Sequence, residues 1–183
     1  MSRGSHRLSW ADARVSVLQS AAMALGCLLT YWLVADAFAR MYSISRADDL
    51  LGALWAVIAT VFVCRDSYEH SVAAAVSRMA ATTVSFVLCL VYLIFLPFHP
   101  WALALLIGLS ALVTMLAGRP GDAVTAAITT TVVMIVAAIT PHDAWKQPIL
   151  RFADTLIGVA VGVAAAWIGL RLIGPRVRAG RQG

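Results

Sequence analysis

RMAATTVSFVLCLVYLIFL, running from Arg78 to Leu96, opens with a cation and three hydroxyl side chains and then continues apolar with no further charge. At about 1.5 Å of rise per residue, a run of this length crosses the roughly 30 Å hydrocarbon core of a bilayer as a helix. Apolar and polar residues do not alternate along it, as they do in a barrel strand. A helix also lets every backbone group find its partner inside the segment, which lipid demands. The run stops at PFHP, where Pro97 and Pro100 forbid continuation.

Five more runs of the same kind surround it. Val15–Ala39 and Asp49–Cys64 precede it. Trp101–Ala117 (ended by GRPG), Asp122–Thr140 (ended by Pro141) and Leu150–Ile173 (ended by Gly174 and Pro175) follow it. Between the second and third runs lies RDSYEHSVAAAVS, Arg65 to Ser77, which has no Gly or Pro and is predicted to be a helical connector lying at the membrane interface. The pattern predicts an all-α polytopic membrane protein with about six transmembrane helices, forming one transmembrane domain over residues 1–183 with short tails. Composition agrees. Of 183 residues, 61 % are hydrophobic and 13 % charged, against about 45–50 % apolar and 25 % charged in soluble domains.

The formal net charge of +5 does not point to nucleic acid, because the cations sit at the ends of apolar runs. Ten of them, Arg3, Arg7, Arg14, Arg65, Arg78, Arg119, Arg171, Arg176, Arg178 and Arg181, fall on the side that holds both termini. Arg40, Arg46, Lys146 and Arg151 fall on the other. The positive-inside rule therefore places both termini in the cytoplasm; a bacterial-type inner (plasma) membrane is the expected location. No small-residue cleavage site follows the basic N-terminus, so the first run is expected to be a retained helix. Cys27, Cys64 and Cys89 form no CxxC and read as small packing residues, not as a disulfide framework or a zinc site.

The two halves match at an offset of 73 residues. RMAATTVS at Arg78 aligns with RFADTLIG at Arg151, both of the form R-x-x-x-T-x-x-small, and the pair Arg46 and Asp49 aligns with Arg119 and Asp122. Repeat 1 covers about 15–96 and repeat 2 about 101–173. With three spans each, the halves must insert in opposite directions, and inverted repeats are a recurring plan of secondary transporters with sites near the midplane.

A charge inside a membrane costs at least about 2.5–3.5 kcal/mol and needs a reason. Asp36, Arg78, Arg151 and Asp154 are the candidates. Arg151 and Asp154, three residues apart, can pair on one helix face. The ordinary alternative is that all four lie at interface depth, where long side chains snorkel cheaply. Asp36 resists that reading, because an Asp is too short to snorkel far. Thr82, Thr83 and Ser85, and Thr125, Thr129, Thr130 and Thr131, give two helices polar faces. Such hydroxyls either line a path or bond back to their own helix. Gly158 and Gly162 form a GxxxG face for close helix packing, either between the repeats or between subunits. There is no P-loop, HExxH, GxSxG or dinucleotide fingerprint. No enzyme activity, cofactor or metal is expected.

LWAVIATVFVCRDSYEHSVAAAVSRMAATTVS, Leu54 to Ser85, resembles the signature region of the fusaric acid resistance and aromatic acid exporter family. Trp55, Ala56, Arg78 and Thr82 occupy its marked positions, while Ala81 and Ser85 stand where it usually has glycine. RFADTLIGVAVG resembles the family's later R-x-x-D-T-x-x-G helix. The likeness covers about Leu25 to Leu170, and only one six-helix unit is present. It implies proton-coupled efflux of aromatic or hydrophobic carboxylic acids. Arg78 or Arg151 would attract the carboxylate, with Trp55, Thr82 and Thr155 along the translocation path. Asp36 or Asp154 would carry the proton. Larger relatives of this kind hold two such units, so a homodimer is expected, with the Gly158 and Gly162 face as its first candidate contact. A non-transporting scaffold or accessory subunit, or a passive channel, is the alternative.

The topology is open to a direct check. Ser5→Cys should resist an impermeant thiol reagent in intact cells while His142→Cys reacts. Labelling of Ser5→Cys would overturn the orientation and the inverted repeat together.

Overall fold

The computed structural model describes residues 10–38, 46–65, 67–141 and 144–179, with side chains for 16–36, 49–65, 67–141 and 144–169. Six α-helices and no strand occur among the described residues. Helix α1 is Trp10–Trp32 and continues into a π-helical turn at Leu33–Phe38. It is followed by α2 (Arg46–Val63), α3 (Tyr68–Phe95), α4 (Pro100–Leu116), α5 (Ala123–Ile139) and α6 (Lys146–Ala179). A 3-10 turn at Pro120–Asp122 leads into α5. Four helical segments are long and apolar enough to cross a membrane: Ser16–Asp36, Tyr68–Phe95, Pro120–Ile139 and Lys146–Gly169. Helices α2 and α4 are shorter, with 18 and 17 residues, or about 27 and 26 Å at 1.5 Å per residue.

Two expected boundaries move. Arg65–Ser77 is helical from Tyr68, as expected, and is continuous with the third span, because α3 starts at Tyr68 and runs unbroken through Arg78. Ser67 caps it by accepting from the His70 amide at 3.3 Å, and no Gly or Pro interrupts the chain afterwards. Ser71 and Ala75 are buried, so this first part of α3 packs against the bundle. Helix α6 begins at Lys146 and passes through Gly174 and Pro175, the expected stop, to Ala179. A single interior proline removes one amide donor and bends a helix without having to end it.

Helix α2 packs on α6, and α3 packs on α5. Helix α1 lies against α2 and α6, α4 lies against α5 and α3, and α3 crosses α6. The α3–α6 crossing is antiparallel, with the Phe86 and Phe152 rings 5.0 Å apart and Met79 packed into a cluster with Val159. Large apolar side chains such as Leu29, Phe95, Leu116 and Ile139 face outward. Patches of that size suit hydrocarbon rather than water.

Close approach holds α2 to α6. A Cβ added at Gly158 would lie 2.1 Å from the Ala56 carbonyl oxygen, and one at Gly162 would lie 3.0 Å from Val63 Cβ. Thr60 fastens the same contact. Its hydroxyl donates to the Gly158 carbonyl at 3.0 Å and sits 2.9 Å from the Thr30 hydroxyl of α1. The GxxxG face is therefore filled by α2 of the same chain. This corrects its nomination as the contact between two subunits, since a face already against a backbone cannot receive a second helix. In the other crossing, Ser85 donates to the Ala126 carbonyl at 2.8 Å and accepts from Thr130 at 3.1 Å. The remaining hydroxyls mostly bond backwards: Thr83 to Met79, Thr129 to Thr125 and Thr131 to Ala127.

These distances grade the glycines. Gly158→Ala should lose most folded protein, since overpacking costs about 1–3 kcal/mol or more. Gly162→Ala should lose less. Gly108→Ala, with nothing within 4 Å of the added carbon, should gain up to about 1 kcal/mol of helix propensity. Thermal unfolding in detergent would read the order, and a Gly158→Ala protein as stable as Gly108→Ala would refute the close crossing.

Candidate functional site

The register set by Phe86 on Phe152 and by Met79 beside Val159 puts Thr82 of α3 opposite Thr155 of α6. Both are fully buried. One turn before each threonine stands an arginine, Arg78 and Arg151, and because the helices are antiparallel the two cations lie at opposite ends of the threonine pair. Helix α2 closes the crossing with Trp55, whose indole N–H donates to Thr155 Oγ1 at 3.0 Å. The Thr155 hydroxyl in turn donates to the Arg151 carbonyl at 2.8 Å.

The two arginines are equally buried, at 3 % and 2 % exposure, and differently compensated. Arg151 Nη1 lies 3.2 Å from Asp154 Oδ2. Asp154 is itself only 8 % exposed and is pressed against α2 at Gly52, where an added Cβ would meet its carboxylate oxygens at 3.0 and 3.1 Å. Arg78 has no carboxylate within ion-pair distance among the described residues, and its Nε and Nη2 donate to nothing there. Thr82 Oγ1 is likewise without a partner. In place of a counter-ion, Arg78 has aromatic rings. Its guanidinium carbon is 5.0 Å from the Trp55 ring and 4.9 Å from the Phe62 ring. A ring is no counter-ion, and Nε and Nη2 form one N–H edge of the guanidinium, the part that binds a carboxylate through two parallel bonds.

The structure thus brings together Arg78, Thr82, Trp55, Thr155, Arg151 and Asp154. It does not bring in Asp36. That residue is exposed on the π-helical turn and lines an open groove of about 430 Å³ with Tyr31, Trp32, Ala35, Asp49 and Leu50. The reading of Arg78 and Arg151 as snorkelling side chains does not hold, because both heads are buried among helices. Two contributors escaped the sequence reading. Phe62 stands seven residues after Trp55, with Ala59 between them, a spacing that puts two rings and a gap on one face of α2. Gly52 leaves the space that the Asp154 carboxylate occupies, and nothing in its neighbours signals that.

A family model for fusaric acid resistance protein-like proteins matches residues 37–165. The chain belongs to this family. It is accordingly a multi-pass, transporter-like membrane protein, and the matched region contains the whole of the buried arginine and threonine cluster. No curated protein and no solved structure matches the chain.

The difference between the arginines predicts opposite responses to mutation. Removing one partner of a buried ion pair costs about 3–5 kcal/mol, so Asp154→Asn should destabilise the protein by something of that order. Arg78→Met removes a buried charge that has no acidic partner among the described residues, and should leave unfolding unchanged or raised. Thermal unfolding of the two variants side by side gives the answer. An Arg78→Met protein as unstable as Asp154→Asn would mean that Arg78 is compensated after all.

Proposed function

We propose that the protein is a membrane transporter that exports aromatic or hydrophobic carboxylic acids, driven by protons, and that Arg78 receives the carboxylate. The observation that carries this reading is the buried Arg78 guanidinium, with two rings within 5 Å and no acid beside it among the described residues. A cation inside a membrane protein is expensive and is normally paired, so a site where no described residue supplies an anion suits one that arrives. A non-transporting scaffold has no use for that cost.

The second half completes the scheme. Asp154, held by Arg151, is the carboxylate through which a proton can be coupled, since protonation releases its hold on Arg151. Asp36, on its open groove, is the other candidate for that role. Thr82 and Thr155 line the path between the two arginines, with Trp55 beside them. In this reading all six helices span the membrane as two inverted three-helix repeats, with both termini in the cytoplasm of a bacterial-type cell. Exchange of the halves supports the repeat: it carries the α2–α6 contact onto α5–α3 and the α1 contacts onto those of α4, and maps the α3–α6 crossing onto itself. A homodimer remains the proposed assembly, through a face other than the Gly158 stripe. A stable, active monomer in mild detergent would remove it.

Ala81 holds the place in repeat 1 that Asp154 holds in repeat 2, and this gives the test. In proteoliposomes under a proton gradient, labelled aromatic acid should be transported by the wild-type chain. Ala81→Asp supplies Arg78 with its own acid, and Arg78→Met removes the charge. Each should weaken uptake about 10- to 100-fold, the worth of a hydrogen bond to a charged group at about 1.5–3 kcal/mol. Wild-type flux in both variants would take Arg78 out of the site. Gradient-dependent flux of no acid tested would favour the scaffold.

A further inference from the structure

We propose that Phe62 is the gate of the Arg78 site, the one wall that moves when a ligand reaches the guanidinium. The inference rests on the reading of Arg78 as an anion site and adds how that site is entered. The geometry comes from α2. Trp55 and Phe62 are two turns apart on one face, with the small Ala59 between them, and the guanidinium of Arg78 lies within 5 Å of both rings. The rings differ in freedom. Trp55 is 5 % exposed and its N–H is tied to Thr155, so turning it would break a buried hydrogen bond. Ala59 is fully buried and has only a methyl group to offer.

Phe62 is 42 % exposed and has no polar atom to anchor it. Its ring covers Arg78 on one side and meets the exterior on the other. It belongs to the last turn of α2, which ends at Val63, beside the connection to α3. Exposed side chains change rotamer in picoseconds to nanoseconds, and a cation–π contact at an exposed ring is weak enough to be given up for a charge-assisted bond to a carboxylate. An anion arriving from this end of the bundle therefore displaces Phe62 and meets the free N–H edge, with Trp55 as the fixed back wall. Phe62 is a positioning residue: it lies against the guanidinium when the site is empty and sets how large a group can pass.

The test uses the full chain in detergent and the arginine reagent phenylglyoxal, with the rate of Arg78 modification read by peptide mass. In the wild-type protein Arg78 should react slowly. Phe62→Ala should raise that rate about tenfold, as expected for loss of a contact worth one such step, and Phe62→Leu should fall between the two. Val61→Ala trims an exposed neighbour on α2 and should leave the rate unchanged. If Phe62→Ala fails to fold, Phe62→Leu, which keeps an apolar side chain in place, carries the test. Equal rates in wild type and both Phe62 variants would overturn the gate. So would a Val61→Ala protein that reacts as fast as Phe62→Ala, since that would indicate loosening of the helix end. Benzoate added to Phe62→Ala separates the two ideas. Protection of Arg78 by benzoate upholds the anion site, whereas fast modification with no protection keeps Phe62 as the cover of Arg78 and overturns the anion reading beneath it.

Discussion

Helix α2 touches α6 at Gly158 so closely that a methyl group there would collide with the Ala56 carbonyl oxygen, and the rest of the site follows from that contact. Lipid gives helices no hydrophobic reason to associate, so packing of small residues and hydrogen bonds between helices must do it. The absent side chain at Gly158 provides the first and the Thr60 hydroxyl on its carbonyl the second. With the backbones this close, the indole of Trp55 reaches Thr155 on the facing helix. Its ring then stands where the guanidinium of α3 can lie against it. Gly52, further back along α2, leaves room for the Asp154 carboxylate by the same device.

Charge divides the two halves. Each carries an arginine one turn before a central threonine, and each arginine is buried. Only the second half has an acid three residues on, where one helical turn brings the two together. The first half has Ala81 in that place. Of these two buried cations, one is paired with an acid and the other has no carboxylate within ion-pair distance among the described residues. Two aromatic rings lie within 5 Å of that guanidinium and offer it cation–π attraction, while its Nε and Nη2 donate to nothing among the described residues.

Hydroxyl groups, abundant on α3 and α5, contribute less to this arrangement than their number suggests. Thr83, Ser85, Thr129 and Thr131 donate to the carbonyl one turn back, the ordinary solution for Ser and Thr in an apolar helix. Thr60, Ser85 and Thr130 reach across to neighbouring helices and hold crossings together. Thr82 is the exception: its hydroxyl lacks a partner beside an arginine in the same condition.

The sequence by itself determined the helical membrane class, because lipid leaves an apolar run of this length no other backbone structure, and it determined the family through the positions of Trp55, Arg78, Thr82, Arg151 and Asp154. The pairing of Arg151 with Asp154 was legible too, since an i, i+3 spacing fixes proximity on a helix. Helix ends were less so: a separate helical connector and the start of a long helix have the same composition at Arg65–Ser77, and only the unbroken course of α3 tells them apart. Tertiary structure alone decided that Gly158 and Gly162 face α2 and not a second chain, because a small-residue stripe states that something comes close and not what. It also decided that Asp36 lies on an open groove, and that Phe62 covers Arg78. Both depend on which helices lie side by side, and contacts between helices distant in sequence leave no periodicity in the chain that makes them.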